Sequence, residues 1–534
     1  MKRYDLLIIG AGPAGLSAAV EGASYGMKVG VFDENAQPGG QLFKQIHKFF
    51  GAKEHQAKIR GFNIGGQLLA QAESLGVDVH LNTAVMGLYP YLSVKVNNGE
   101  KLYAYSGDSI IVATGASENM LPFEGWTLPG VMGAGAAQTL MNLHGIKPGR
   151  RIIMIGSGNV GLVVSYQLIQ AGCDVVAIID AAPRVGGYGV HASKISRTGV
   201  PFYLSHRIVK AEGPDMVTGA VIAEVDESWE IIPGTDKHID ADTVCIAAGL
   251  SPMSQLTGMV GCKMADNGGA VPVVNEYMET SIEGLFAAGD ITGIEEASQA
   301  MIGGRIAAAA AAKRSGYIGE DAFLKVYKEL RTSLDQLRGG MFSHENKGRT
   351  DLVSTEEGFP LSQTLLSRGY ISDEEIESFT ASGINQVTGR FHPVIECTQN
   401  IPCDPCQDAC PSGCITVGDA ITNIPLINNG AACNNCGLCV SACPGLAVFL
   451  VNEEFEPGYA AVTLPYEFLP LPEVGAMGKA LDRSGKAVCD AEVADVRTAK
   501  AFDKTVLLTI KIPVNAVKSA RFFKTCREVE KCTT

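Results

Sequence analysis

Hydrophobic positions along this chain fall into three patterns. Short unbroken apolar runs, Leu6-Leu7-Ile8-Ile9 and Ile152-Ile153-Met154-Ile155, recur near the start and again after residue 150. Such runs suit strands buried on both faces, as in a parallel sheet. Each leads through a glycine-rich turn into a stretch that reads as a helix, over 16–25 and up to residue 171, and further strands are expected over 28–32 and 174–179. A second, helical pattern occupies 316–390, with helices over 320–338, 361–368 and 373–380, the last behind a Ser372-Asp373 start signal. The alanines of 307–312 predict a tightly packed structural helix. The third pattern is alternation: Val506, Leu508, Ile510 and Ile512 predict a strand, and the Gly and Pro punctuation around it a small β domain over 453–534.

The turns change the picture most. Gly10-Ala11-Gly12-Pro13-Ala14-Gly15 stands between a strand and a helix, the context that gives a G-x-G-x-x-G its meaning. Its glycines permit a tight turn, close approach of a pyrophosphate and close helix–strand packing, and the helix N-terminus adds free N–H groups. The 28–32 strand ends at Asp33-Glu34, where a carboxylate should meet a ribose hydroxyl. Gly156-Ser157-Gly158-Asn159-Val160-Gly161, followed by Asp180, repeats the arrangement. An acid there favours NAD over NADP. Three alternatives stay open for this second site: NAD(H), a plain adenine nucleotide, or a vestigial fold that binds nothing. The fold class expected is α/β with two Rossmann-like nucleotide-binding domains.

Length and composition bound the rest. A chain of 534 residues exceeds a single core, so several domains are expected. With 57 acidic and 43 basic residues the net charge is −14, which disfavours nucleic acid or an anionic membrane as partner. No membrane span is expected. Lys2 and Arg3 before an apolar stretch resemble a signal peptide, but Asp5 interrupts it and the glycines fit a nucleotide turn. A cytoplasmic location is expected, as thiol usage also suggests.

Eight of the 15 cysteines form two runs, Cys397-x5-Cys403-x2-Cys406-x3-Cys410-Pro411 and Cys433-x2-Cys436-x2-Cys439-x3-Cys443-Pro444. The second has the bacterial ferredoxin spacing, and the first differs only in its x5 interval. The likeness to two-cluster ferredoxins implies one [4Fe–4S] cluster on Cys397, Cys403, Cys406 and Cys443, and another on Cys433, Cys436, Cys439 and Cys410. Structural zinc would want paired C-x2-C knuckles instead. Cys414 reads as packing beside a cluster.

Further motifs are Pro38-Gly39-Gly40-Gln41, Val112-Ala113-Thr114-Gly115 and Gly284-Leu285-Phe286-Ala287-Ala288-Gly289-Asp290. Together with the first turn they resemble the two-dinucleotide-binding-domain flavoproteins, over about 1–315. The resemblance implies FAD, held by Gly10, Gly12, Pro13, Ala14, Gly15, Asp33, Glu34, Gly40, Gln41, Thr114, Gly115, Gly289 and Asp290, with Gly156, Gly158, Gly161 and Asp180 at the second nucleotide site. Disulfide reductases of that family need a redox-active C-x-x-C, yet before Cys397 there are only Cys173, Cys245 and Cys262. Disulfide reduction is therefore disfavoured. The segment Pro122-Phe123-Glu124-Gly125-Trp126-Thr127-Leu128-Pro129-Gly130-Val131-Met132 is similar to the α-type subunits of amino-acid (proline, hydroxyproline, opine) dehydrogenases and of hydrogen cyanide synthase. That likeness implies a hetero-oligomer with an oxidase-like β subunit carrying its own flavin. The fused two-cluster module departs from many of those subunits.

The expected organisation is an FAD domain over 1–117 and 272–315, a second nucleotide domain over 118–271, a helical linker over 316–390, a ferredoxin-like domain over 391–452 and the β-rich 453–534. The expected function is electron transfer between flavin and two clusters within an amino-acid or amine dehydrogenase complex. The alternative is a self-sufficient NADH:ferredoxin or NADH:acceptor oxidoreductase. Catalytic residues are not nominated; His47, His55 and His80 read as surface or core histidines.

Overall fold

The computed structural model describes residues 2–265, 271–340, 342, 362–380, 390–428 and 431–525, without the side chains of 377–380. The chain divides into two compact units, Met1–Asn119 with Gly249–Gly339, and Met120–Ala248 with Gly340–Thr534.

In the first unit the apolar run becomes the strand Lys2–Ile9, the centre of a mixed sheet. It pairs in parallel with Val29–Phe32 on one side and Leu102–Val112 on the other. Asp78–His80 and Leu285–Ala287 join in parallel, whereas Ser93–Asn97 and Ala84–Tyr89 form an antiparallel extension. The helix Pro13–Ser24 lies against Ala297–Arg314, whose alanines 307–312 are all buried. Small residues allow this closeness: a Cβ on Gly304 would stand 2.1 Å from the Ala14 carbonyl oxygen. The amphipathic helix Glu320–Arg338 also belongs to this unit and buries Phe323, Leu330, Leu334 and Leu337.

The second unit contains a five-stranded parallel sheet in the order Phe202–Leu204, Asp174–Asp180, Arg151–Ile155, Thr243–Ile246, Val131–Gly133. An antiparallel trio, His206–Glu212, Gly219–Glu224 and Lys237–Asp240, follows it. The helix expected over 361–368 is Gln363–Arg368; residue 361 lies outside the described residues, and the Ser362 side chain caps the helix by accepting the Leu365 N–H. The parts of the expected linker at 343–361 and 381–389 also lie outside them.

A seven-stranded antiparallel sheet closes this unit, in the order His392–Ile395, Val448–Glu456, Tyr459–Tyr466, Val506–Pro513, Ala487–Arg497, Met477–Leu481, Phe522–Thr525. Val506, Leu508, Ile510 and Ile512 pack into one core with Val462, Leu464 and Phe523. Leu507, between them, packs instead among Cys406, Cys414 and Cys439. The sheet thus has an apolar face of its own and a face against the thiols. Because His392–Ile395 pairs directly with Val448–Glu456, the whole thiol segment 396–447 is inserted between two neighbouring strands.

One ionic network, buried except at Asp373, fastens the start of that insertion. Glu396 Oε1 accepts from Arg483 Nη2 at 2.6 Å and Arg521 Nε at 2.5 Å, and Arg483 also reaches Asp373 at 2.5 Å. Burial alone would raise the Glu396 carboxyl, but the two guanidiniums hold it down at about 2. Its stabilising contribution is therefore complete above its ordinary value of 4.5 and is lost as pH falls towards 2. Glu396→Gln should remove that acid-dependent component. It should also destabilise this unit at pH 7 by about 3–5 kcal/mol, because two buried guanidiniums lose their partner. Denaturant melts from pH 2.5 to 7 measure both effects, and a variant as stable as wild type at pH 7 would contradict the assignment.

Candidate functional site

The two glycine turns are built by the same physics. Gly10 and Gly156 have φ of 103° and 105°, and a Cβ on either would lie 2.3 Å and 2.4 Å from the Ala113 and Ala247 carbonyl oxygens. The third glycines are as tightly packed, since a Cβ on Gly15 or Gly161 would strike the Gly10 or Gly156 carbonyl. By contrast, a Cβ on Gly12 or Gly158 would meet nothing within 4 Å. Those middle positions are where an approaching pyrophosphate needs space.

An aspartate holds each turn in place. Asp33 Oδ2 accepts the Ala11 N–H at 2.6 Å, and Oδ1 accepts the Asn35 N–H at 2.8 Å. Asp180 Oδ2 accepts from Ser157 N at 2.7 Å and Ser157 Oγ at 2.6 Å, while Oδ1 accepts the Ala182 N–H at 2.9 Å. A later glycine pair closes each loop: Gly39 N–H donates to the Ala11 carbonyl at 2.6 Å, and Gly187 N–H to the Ser157 carbonyl at 2.9 Å.

In the first unit these residues converge. Gly40 backs onto Gly12, with its Cβ position 3.0 Å from the Gly12 Cα, and that of Gly289 lies 2.9 Å from the Ala14 Cβ. Pro13 starts the helix, Asp290 follows Gly289 and accepts the Glu295 N–H at 3.3 Å, and Glu34 and Gln41 are exposed beside the turn. Thr114 donates from its hydroxyl to the Met253 carbonyl at 2.6 Å, so the Thr114-Gly115 crossing is tied to the returning chain. Lys44, half-buried at the end of the Gly40–Lys44 turn, is a cation that sequence reading missed; burial lowers its ammonium below the ordinary value.

The histidines have structural work. His55 is buried, its Nδ1 accepts the Ala52 N–H at 2.9 Å, and burial lowers its imidazole. His80 stacks on Phe32 at 4.7 Å, and His47 lies against Phe49. Cys173, Cys245 and Cys262 are all buried in apolar cores.

The thiols of the segment 396–447 form two groups. Cys410, Cys414, Cys433, Cys436 and Cys439 line one small cavity with Gly437 and Leu450. Cys397, Cys406 and Cys443 act electrostatically on one another, and Cys406 also on Cys439 of that cavity. Cys403 lies in the same segment, its N–H donating to the Ile421 carbonyl at 2.7 Å. Backbone N–H groups point at three sulfurs: Cys414 N at Cys410 Sγ (3.2 Å), Asn435 N at Cys433 Sγ (3.4 Å) and Ala447 N at Cys443 Sγ (3.4 Å). Burial, with repulsion from neighbouring thiols, pushes Cys397 and Cys439 up to about 12. As placed, no three candidate ligands among the described residues stand in metal-bonding geometry. The donor set still fits an iron–sulfur group in its chemistry: clustered soft thiols, with N–H donors aimed at the sulfurs, are what such clusters use.

The x5 interval also has a structural use. Gln399, inside it, is buried and accepts the Gly189 N–H at 2.7 Å through Oε1. The extra residues dock on the helix Gly189–Ser196 of the parallel-sheet domain in the same unit.

The family described as pyridine nucleotide-disulphide oxidoreductase matches residues 4–316. An opine oxidase subunit from Agrobacterium tumefaciens (strain Ach5) is 32% identical over 58% of this chain. The match spans 65% of that relative, just under two thirds of its length. Hydrogen cyanide synthase subunit HcnB of Pseudomonas aeruginosa is 28% identical over 57% of this chain and 69% of its own. The crystal structure of T. acidophilum thioredoxin reductase, at 22% identity and TM-score 0.50, covers 59% of this chain and 99% of the other, and shares the Rossmann-type fold. No helix among the described residues is long and apolar enough to cross a membrane.

The paired aspartates make a divided prediction. Asp33→Ala leaves the Ala11 N–H without its carboxylate and should weaken FAD retention by about tenfold or more, as loss of a charge-assisted hydrogen bond does. Asp180→Ala should leave flavin in place and weaken ADP or NADH binding at the second turn. Flavin absorbance after gel filtration, with calorimetry for the nucleotides, separates the two. Equal flavin loss from both variants would contradict it.

Proposed function

This chain belongs to the pyridine nucleotide-disulphide oxidoreductase family, whose members bind FAD and a nucleotide, and from that premise we propose an iron–sulfur flavoprotein that works as the α-type subunit of an amino-acid or amine dehydrogenase complex. The observation that carries this reading is the thiol segment 396–447, with two groups of cysteines and N–H donors aimed at their sulfurs, in a chain that has no C-x-x-C before Cys397. FAD, when bound, takes electrons in pairs and releases them singly, and each [4Fe–4S] cluster carries one electron. The chain's own residues bind and orient. Gly12 and Gly115 leave space for the dinucleotide, Gly10, Gly15, Gly40 and Gly289 let the turns close tightly around it, Asp33 fixes its loop, and Cys397, Cys403, Cys406 and Cys443 would hold one cluster. Cys410, Cys433, Cys436 and Cys439 would hold the other, with Leu507 and the antiparallel sheet keeping water from it.

Two similar proteins, from an opine oxidase and a hydrogen cyanide synthase, are named as subunits. This supports a hetero-oligomer; the partner proposed to oxidise the amine is an oxidase-like β subunit. A second reading, an NADH:ferredoxin or NADH:acceptor oxidoreductase complete in itself, is favoured by the Asp180–Ser157 turn, which repeats the backbone bonds of the flavin-site turn and adds one from the Ser157 hydroxyl.

Anaerobically prepared protein should carry one FAD and about eight iron and eight sulfide per chain, the content of two [4Fe–4S] clusters. Cys436→Ser should halve the iron and leave the flavin, since the flavin-site residues belong to the other unit. Stoichiometric zinc, or iron that does not fall in the variant, would remove the cluster assignment.

The two functional readings part over the isolated chain. If it works within a complex, it should not oxidise proline, hydroxyproline, sarcosine or opines by itself, but should reduce a dye with such a substrate once co-expressed with an oxidase-like partner. Rapid anaerobic bleaching of the flavin by NADH, with turnover to ferredoxin and no copurifying chain, would instead select the self-sufficient oxidoreductase.

A further inference from the structure

The helix Gly189–Ser196 ends at Arg197, whose side chain is only 7% exposed. Its Nη2 donates to the Leu446 carbonyl at 2.8 Å, and its guanidinium lies 5.2 Å from the centre of the Phe449 ring. Arg521 stands over the same ring, also at 5.2 Å. Arg521 and Arg483 share Glu396, and Arg483 also takes Asp373. Among the described residues no carboxylate bonds Arg197. Three buried guanidiniums therefore share one buried carboxylate, Glu396, with the half-exposed Asp373 beside Arg483; Arg197 feels Glu396 but bonds no carboxylate. A buried charge without a counter-charge is costly.

The place of that charge is specific. Leu446 belongs to the turn that follows Cys443, and the next residue, Ala447, directs its N–H at the Cys443 sulfur. Arg197 and Cys443 are close enough to act electrostatically on each other. A guanidinium beside the other thiol group is placed differently: Arg497 donates to the Asn435 carbonyl at 2.8 Å, lies 3.5 Å from the half-exposed Asp495 and is itself 28% exposed, although its Nε makes no hydrogen bond. Its charge is ion-paired and partly solvated, as that of Arg197 is not.

We propose that Arg197 is the built-in counter-charge of the cluster held by Cys397, Cys403, Cys406 and Cys443, and that it makes this cluster the more readily reduced of the two. The inference rests on the iron–sulfur reading above. Reduction adds one electron to the cluster and breaks no bond. A fixed cation in a low-dielectric interior stabilises the added negative charge, and net charge is among the determinants of cluster potential. Arg197 acts through space, as a tuning residue.

The test is a mediated dithionite titration of the full, cluster-loaded chain followed by electron paramagnetic resonance, for wild type, Arg197→Gln and Arg197→Lys. In R197Q the reduced-to-oxidised ratio of one cluster at fixed potential should fall at least tenfold, equivalent to about 59 mV for a one-electron couple. The other cluster should not move, and iron content should stay at the wild-type value. R197K, which keeps the charge, should change the ratio less than about threefold. R197Q with full iron and unshifted potentials overturns the inference, as does R197K shifting as far as R197Q. If R197Q fails to hold the first cluster, R197K decides: retention with a near-wild-type potential supports the charge role, and loss of iron there too overturns it. A wild-type chain that takes up no iron or sulfide overturns the iron–sulfur reading itself, whereas a loaded wild type with an unshifted R197Q overturns this inference alone.

Discussion

At Gly10 and at Gly156 the chain passes so close to the carbonyl of a neighbouring strand that one added carbon would collide with it, and both nucleotide sites follow from that closeness. It forces the left-handed turn, which presents the next N–H groups inward. Those N–H groups would be left unsatisfied were it not for Asp33 and Asp180, each placed at the end of the adjoining parallel strand. Parallel pairing sets the position of the aspartate, the aspartate fixes the loop, and the loop leaves space at Gly12 and Gly158. A change in any one of these would be felt by the other two.

Both turns were legible in the sequence because every element of them is local: an apolar run, spaced glycines, and an acid some twenty residues on, as expected of this motif. What sequence reading assigned to ribose contact, the structure assigns first to the loop itself, since both oxygens of each aspartate accept backbone N–H groups. Ser157 doubles the second of these bonds through its hydroxyl. Its position between two glycines was visible, but its partner was not.

The pieces that escaped notice come from distant segments. Nothing local in Arg197 announces that its carbonyl partner is Leu446, nor in Gly189 that Gln399 awaits it. The antiparallel sheet was read from the alternation at Val506–Pro513, yet it also takes in His392–Ile395 and Val448–Glu456. The first is too short to show a period. The second begins with five consecutive buried residues, which masks alternation. Leu507 broke the pattern for a physical reason: both faces of its strand are covered, one by the sheet's own core and the other by the thiols.

Consider the thiol segment as a polymer whose ends are already joined. Glu396 N–H donates to the Ala447 carbonyl at 2.8 Å, so the loop opens and closes at one point of the sheet. The entropy of closing a flexible loop grows only with the logarithm of its length, and three added residues in a segment of this size cost about 0.05 kcal/mol. Cysteine spacing inside such a loop is therefore almost free to drift wherever the sulfurs still meet. The widened interval after Cys397 carries Gln399 onto the helix Gly189–Ser196. An irregularity that weakens a motif match is here an attachment between the thiol segment and the parallel-sheet domain.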